Sequence, residues 1–202
     1  MKHFLLTLAD RILQSKDELN QMDAECGDGD FGTSMFVAFT NLRRTAESDQ
    51  GDDIGKLLTD VGQAVLSSAG GAAGPIFGML FAEAGKAAKG KDDLGVSDLA
   101  AMFEAALVKI KARGGARVGD KTLLDALDPV VTSLKKSAAA DTPLQPALES
   151  AFGAARMGYE GTKELVARQG KARYLGEETL GHLDAGAYVT MLIFESLYGE
   201  AE

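Results

Sequence analysis

The chain has 202 residues, 46% of them hydrophobic and 25% charged, which supports one domain with an interior large enough to fold without staples. Thirty acidic residues against 21 basic ones leave a net charge of −9, which argues against a duplex nucleic-acid partner. A single cysteine, Cys26, excludes an intramolecular disulfide and fits a reducing, cytoplasmic compartment.

The N-terminal stretch MKHFLLTLADRILQ breaks its apolar run with Asp10 and Arg11, so it reads as an amphipathic helix and not as a signal peptide. No segment approaches the ~18 consecutive apolar residues that a membrane span requires, and no membrane partner is expected. Apolar residues then recur at helical spacing. Ile54, Leu57, Leu58, Val61 and Val65 form one stripe, Leu99, Met102, Phe103, Ala106, Leu107 and Ile110 a second, and Leu123, Leu127, Val130, Val131 and Leu134 a third. No alternating run bounded by hairpin turns interrupts them. The pattern predicts an all-α single domain over 1–202, with helices at 2–22, 31–48, 52–68, 75–89, 97–113, 121–138, 144–168 and 185–200. Ser97 or Val96 before Asp98 predicts one helix start. Asp141-Thr142-Pro143 predicts a cap followed by a first-turn proline. Pro129 should kink or split the sixth helix.

Glycine is the informative residue. The chain has 24 of them, about 12% against an average near 7%, and they cluster in the connections between helices one and two, three and four, five and six, and seven and eight. Short connections favour antiparallel neighbours. In an up-and-down chain these four loops therefore meet at one rim, whereas helix caps alone would need one glycine each.

The first loop, Asp23-Ala24-Glu25-Cys26-Gly27-Asp28-Gly29-Asp30, leads into Phe31-Gly32-Thr33-Ser34. Its Gly27-x-Gly29-x-x-Gly32 satisfies the dinucleotide fingerprint but follows a helix instead of a strand. It also lacks the alternating ligands of an EF-hand. Three carboxylates this close repel one another unless a cation neutralises them, and hard oxygen donors without histidine or thiol partners suit Mg²⁺. A helix N-terminus at Phe31 adds N–H donors and a positive dipole end beside the Thr33 and Ser34 hydroxyls. Together these describe a phosphate site. The loop Ser67–Pro75 offers small residues and close backbone approach. The loop Arg113–Thr122 narrowly misses a P-loop, because Asp120 intervenes before Lys121 and no strand precedes it. The last loop, Arg168–Gly186, carries Arg168, Lys171 and Arg173, and its His182 reads as a structural hydrogen-bonder.

Taken in order, Leu19-Asn20-x-x-Asp23, GDGD-x-GTSM at 27–35, SSAGGAAGP at 67–75, GDKT at 119–122 and GKARYLGEETLGHLDAGA at 170–187 resemble the nucleotide-binding L subunit of dihydroxyacetone kinase, over essentially the whole chain. The resemblance implies an antiparallel barrel of eight helices with ADP or ATP held at one end through two Mg²⁺ ions. It gives Asp23, Asp28 and Asp30 the metal-ligand role. It places Phe31, Gly32, Thr33, Ser34, Ala72, Ala73, Gly114, Leu123, Lys171, Leu183, Asp184 and Ala185 against the nucleotide. Phe31 departs from the usual histidine or cysteine, Lys171 from arginine and Ala185 from proline. The implied partners are a K subunit that carries dihydroxyacetone covalently and a phosphotransferase-system M subunit that recharges bound ADP, with a homodimer left open. A separate L chain favours that system over the fused ATP-dependent kinases. The rival expectations are a kinase component for another ketose such as erythrulose, a fatty-acid kinase domain, and a non-enzymatic, nucleotide-responsive adaptor of a regulator.

Overall fold

A computed structural model describes residues 1–68 and 73–200. Among them the chain is all-helical, as the stripes require: α1 (Lys2–Gln14), α2 (Lys16–Ala24), α3 (Phe31–Ser48), α4 (Ile54–Leu66), α5 (Ala73–Ala87), α6 (Val96–Gly114), α7 (Leu124–Ala139), α8 (Leu144–Gly161) and α9 (Ala185–Gly199). Three short 3-10 turns, Thr162–Glu164, Ala172–Tyr174 and Gly176–Thr179, fill the long connection between α8 and α9. Every residue of the three apolar stripes is buried except Ile54, which is partly covered by the same core.

The helices pack largely in chain order. The pairs α3–α4, α4–α5, α5–α6, α6–α7, α7–α8 and α8–α9 are all in contact, and α1 touches both α3 and α9, so the neighbour sequence closes on itself. Aromatic contacts tie elements distant in sequence across the interior. Phe103 of α6 lies 4.7 Å from Phe194 of α9 between ring centres, and Phe39 of α3 meets Phe81 of α5 edge-on at 6.3 Å.

Several expected boundaries change. The helix predicted over 2–22 is broken at Ser15, whose ψ of 8° opens the turn, and α2 then runs on to Ala24. Serine competes for local backbone hydrogen bonds and weakens a helix interior. Pro129 does not split its helix, because α7 is continuous through it. The Asp125 carbonyl that a residue with an N–H at 129 would bond lies instead against Gly158 of α8. α6 starts at Val96 with Gly95 as its cap, whose N–H donates to Asp98 at 3.0 Å. Pro143 is the cap of α8 and not its first-turn residue. The helix predicted over 144–168 stops at Gly161.

Candidate functional site

Asp23 lies in the last turn of α2, and Asp28 and Asp30 follow in the connection to α3. One carboxylate oxygen from each lies within 4.8 Å of the others. Asp23 is half-buried, whereas Asp28 and Asp30 are exposed. The cradle is specific in shape. A Cβ at Gly27 would stand 2.5 Å from Asp23 Oδ1, so only glycine leaves that carboxylate its place. Three hard oxygen donors at this spacing, beside a glycine whose Cβ would displace one of them, fit Mg²⁺ and give a softer metal nothing to prefer.

The start of α3 is held by α2. Asp23 Oδ2 accepts from the Asp30 N–H at 3.1 Å and the Phe31 N–H at 3.3 Å. Asn20 Oδ1 accepts from the Thr33 N–H at 2.9 Å, and its Nδ2 donates to Thr33 Oγ1 at 3.1 Å. Gly32 is where the two helices touch, because a Cβ there would collide with the Lys16 carbonyl and with Asn20. The expectation of a run of free donors at this N-terminus is therefore corrected. Asp30, Phe31 and Thr33 spend their N–H groups inside the protein, and among the described residues Gly32 alone of this turn keeps an N–H without a partner. Burial raises the Asp23 pKa, opposed by the N–H groups of Phe31 and Asp30. The Phe31 ring packs on the core and offers nothing polar to a ligand.

Three of the four glycine-rich loops converge here. Lys171 Nζ pairs with Asp28, which lowers the Asp28 pKa and raises its own. His182 Nδ1 meets Glu25 Oε2 at 3.0 Å, in keeping with a structural role. The Arg168 N–H donates to the Asp120 carbonyl at 3.0 Å, and Gln169 Nε2 to the Asp120 carboxylate at 3.1 Å. Of the second loop, Ser67–Pro75, residues 69–72 lie outside the described residues. Ala72 lies there, and Ala73 is the first residue of α5.

The remaining predicted residues sit on the same end. Leu123 is buried just before α7, and Gly186 of α9 packs on it. Asp184 caps α9, accepting from the Ala187 N–H at 2.7 Å, with Ala185 buried behind it and Leu183 half-covered. Burial pushes the Asp184 pKa up to about 7, with Asp125 raising it further and Lys121 opposing. Gly114 is exposed at the end of α6 and opens the connection that leads to Leu123.

The spacing of residues did not single out Lys121, Asp125, Thr162 or Thr179. Asp125 is buried and accepts from the Gly119 and Thr122 N–H groups, which shapes the 119–123 connection. Lys121 is buried and donates to the carbonyls of Thr162, Leu165 and His182. Thr162 Oγ1 donates to the Tyr159 carbonyl at 2.6 Å and accepts from the Asp184 N–H at 3.0 Å. These contacts explain the early end of α8. The Thr162 carbonyl that a continuing helix would offer to Val166 is drawn to Lys121. The one available signal is the pair Asp120-Lys121 directly after Gly119, which the P-loop comparison sets aside.

Residues 25–199 match the DAK2 domain. The chain belongs to the DAK2 domain family. Among its relatives, the ADP-binding subunit DhaL of the PEP-dependent dihydroxyacetone kinase of Escherichia coli K12 is 36% identical over 193 residues, covering 95% of this chain and 92% of that one. The L-erythrulose 1-kinase of Mycolicibacterium smegmatis is 35% identical over 184 residues, and there the match spans 32% of the relative. The dihydroxyacetone kinase from C. freundii, solved in complex with AMP-PNP and Mg²⁺, superposes on all of this chain and 33% of its own, with a TM-score of 0.74 and 26% identity. No helix among the described residues is long and apolar enough to cross a membrane.

Proposed function

We propose that this chain is the ADP/ATP-binding subunit of a dihydroxyacetone kinase, passing a phosphoryl group from Mg-bound nucleotide to dihydroxyacetone held on a separate K subunit. A phosphotransferase-system M subunit would recharge the bound ADP. The observation that carries the reading is the triad Asp23, Asp28 and Asp30, gathered within 4.8 Å in a chain alike to an ADP-binding subunit over nearly its whole length. Relatives matched over about nine tenths of their own length are ADP-binding subunits of dihydroxyacetone kinases, whereas the erythrulose kinases match over about a third of theirs, so dihydroxyacetone is the preferred ketose. We read the closed neighbour sequence as an eight-helix antiparallel barrel, with α1 and α2 as one broken helix and the nucleotide at the rim. The buried, unpaired Cys26 is in keeping with the cytoplasm.

Phosphoryl transfer asks for positioning and charge neutralisation more than for covalent help. Two Mg²⁺ ions, held by the three aspartates, would supply that neutralisation in a chain whose own charge repels a nucleotide. The first turn of α3, from Phe31 to Ser34, offers the phosphates the Gly32 N–H and the Ser34 hydroxyl. Lys171 meets them as a point charge without a guanidinium fork. Ala72, Ala73, Gly114, Leu123, Leu183, Asp184 and Ala185 would supply the remaining nucleotide contacts that the resemblance implies. No side chain is assigned an acid or base role, and the ketose comes with the partner.

The test is a Mg-dependent thermal shift with ADP. At 100 times the dissociation constant the wild-type chain gains about 2.7 kcal/mol. Asp30→Asn should keep wild-type helicity and lose the shift, since it preserves shape and removes charge. A variant that keeps the full shift would reduce the triad to an acidic turn. Turnover of dihydroxyacetone by the purified chain alone would overturn the separate-partner reading. Nucleotide binding that never supports turnover with a K subunit would point to the adaptor.

A further inference from the structure

Lys121 is 5% exposed, rare for a lysine, whose ammonium is almost never buried without partners. Its backbone adopts φ 59°, a left-handed conformation that a residue with a Cβ holds only when its surroundings demand it. An ammonium has three donors, and three carbonyls receive them: Thr162 at 2.8 Å, Leu165 at 3.3 Å, and His182. Those carbonyls lie at both ends of the segment joining α8 to α9, so one nitrogen gathers its entry and its exit. Asp125 and Asp184 supply the counter-charge, while burial pulls the Lys121 pKa down.

This segment has little else to fix it. From 162 to 184 the buried side chains are those of Thr162, Ala167 and Thr179. The rest of its order comes from polar ties, including the Gly181 N–H to the Lys163 carbonyl at 2.7 Å and the Ala167 N–H to Thr179 Oγ1 at 2.9 Å. Segments with few apolar contacts open locally at low cost. Lys171, exposed in the middle of it, reaches the acidic triad through its pair with Asp28.

We propose that Lys121 is a positioning residue, which fixes the 162–184 segment across the rim so that Lys171 stands over the acidic triad. The tether itself follows from these contacts, and its consequence for nucleotide rests on the function proposed above. Lys121 touches no ligand in this account and acts through Lys171.

The experiment uses the full chain as wild type, Lys121→Met, Lys121→Arg, Lys171→Ala and the Lys121→Met/Lys171→Ala double variant. Helicity, amide hydrogen exchange and Mg·ADP affinity by calorimetry are measured for each. Lys121→Met should keep its helices and speed exchange within 163–183 at least about tenfold, while α1 to α6 exchange as before. Its Mg·ADP affinity should fall about tenfold, and in the Lys171→Ala background it should cost nothing more, because residues acting as one unit are non-additive. Lys121→Arg keeps the charge but presents a planar fork in place of one nitrogen, and should fall between Lys121→Met and wild type. Unchanged exchange, unchanged affinity, or losses that add in the double variant would overturn the proposal. So would collapse of the whole fold in both Lys121 variants, which would make this lysine a determinant of the fold. If the wild-type chain binds no Mg·ADP, the nucleotide reading fails, and the exchange arm alone decides the tether.

Discussion

Asp28 and Asp30 stand exposed in a loop beside a third carboxylate. Lys121, on the connection between α6 and α7, and Asp125, in the first turn of α7, are buried with their ammonium protons and oxygens taken up by backbone partners. The same residue types thus meet opposite treatment at one end of the molecule. Exposed carboxylates held close together keep a repulsion that a cation can relieve, so they are suited to receiving a ligand. Buried charges with every donor and acceptor matched leave nothing to offer a ligand, and they fix the backbone around them.

The comparison can be broken most forcefully at Asp125. Asp125→Ala strands the Gly119 and Thr122 N–H groups and removes a counter-charge from Lys121, so it should destabilise the chain by about 3 kcal/mol. Urea denaturation measures this, and a loss well under ~1 kcal/mol would put the buried region on the level of a surface pair. A second test uses pH. Asp184 titrates near 7 in the folded chain against a reference of 3.8, so between those values the native state holds more protons than the unfolded one. Its contribution is then full below the unfolded pKa and fades as pH rises through the native one. Wild type should therefore lose stability relative to Asp184→Asn from about pH 4 to about pH 7, and a constant difference across that window would show that Asp184 is ionised throughout. The smallest effect belongs to the exposed pair. Lys171→Ala should leave the unfolding midpoint of the ligand-free chain unchanged at high salt, since solvent and ions screen such a pair. A clear destabilisation that salt does not remove would mean that the rim's outer charges also carry the fold.

The division also marks what the sequence disclosed. The helical stripes were legible because burial repeats every three or four residues, as in Leu99 to Ile110. The acidic triad was legible because carboxylate density in a glycine loop is itself the chemistry. The tethers were not. Nothing local in Thr162 says that its carbonyl serves a lysine 41 residues away, or that its hydroxyl holds the Asp184 N–H. The apolar pattern alone therefore predicts a helix that continues to 168. Likewise Asn20 and Asp23 occupy N–H groups that the pattern around Phe31 left free, and only their placement across the α2–α3 corner reveals it.

The pairing of His3 with Glu200 at 2.6 Å carries a consequence for how such a unit is joined to others. α9 starts at the rim with Ala185 and runs to Gly199, a length of about 22 Å at ~1.5 Å per residue. His3 and Glu200 therefore both lie on the far side, next to each other. A polypeptide fused at either terminus begins a full helix length from the rim, and a covalently attached acceptor domain has two geometric options. It can follow a linker long enough to travel up the outside of the molecule, or it can serve the rim of a neighbouring copy. Covalent attachment and catalytic access are thus separate problems in this architecture.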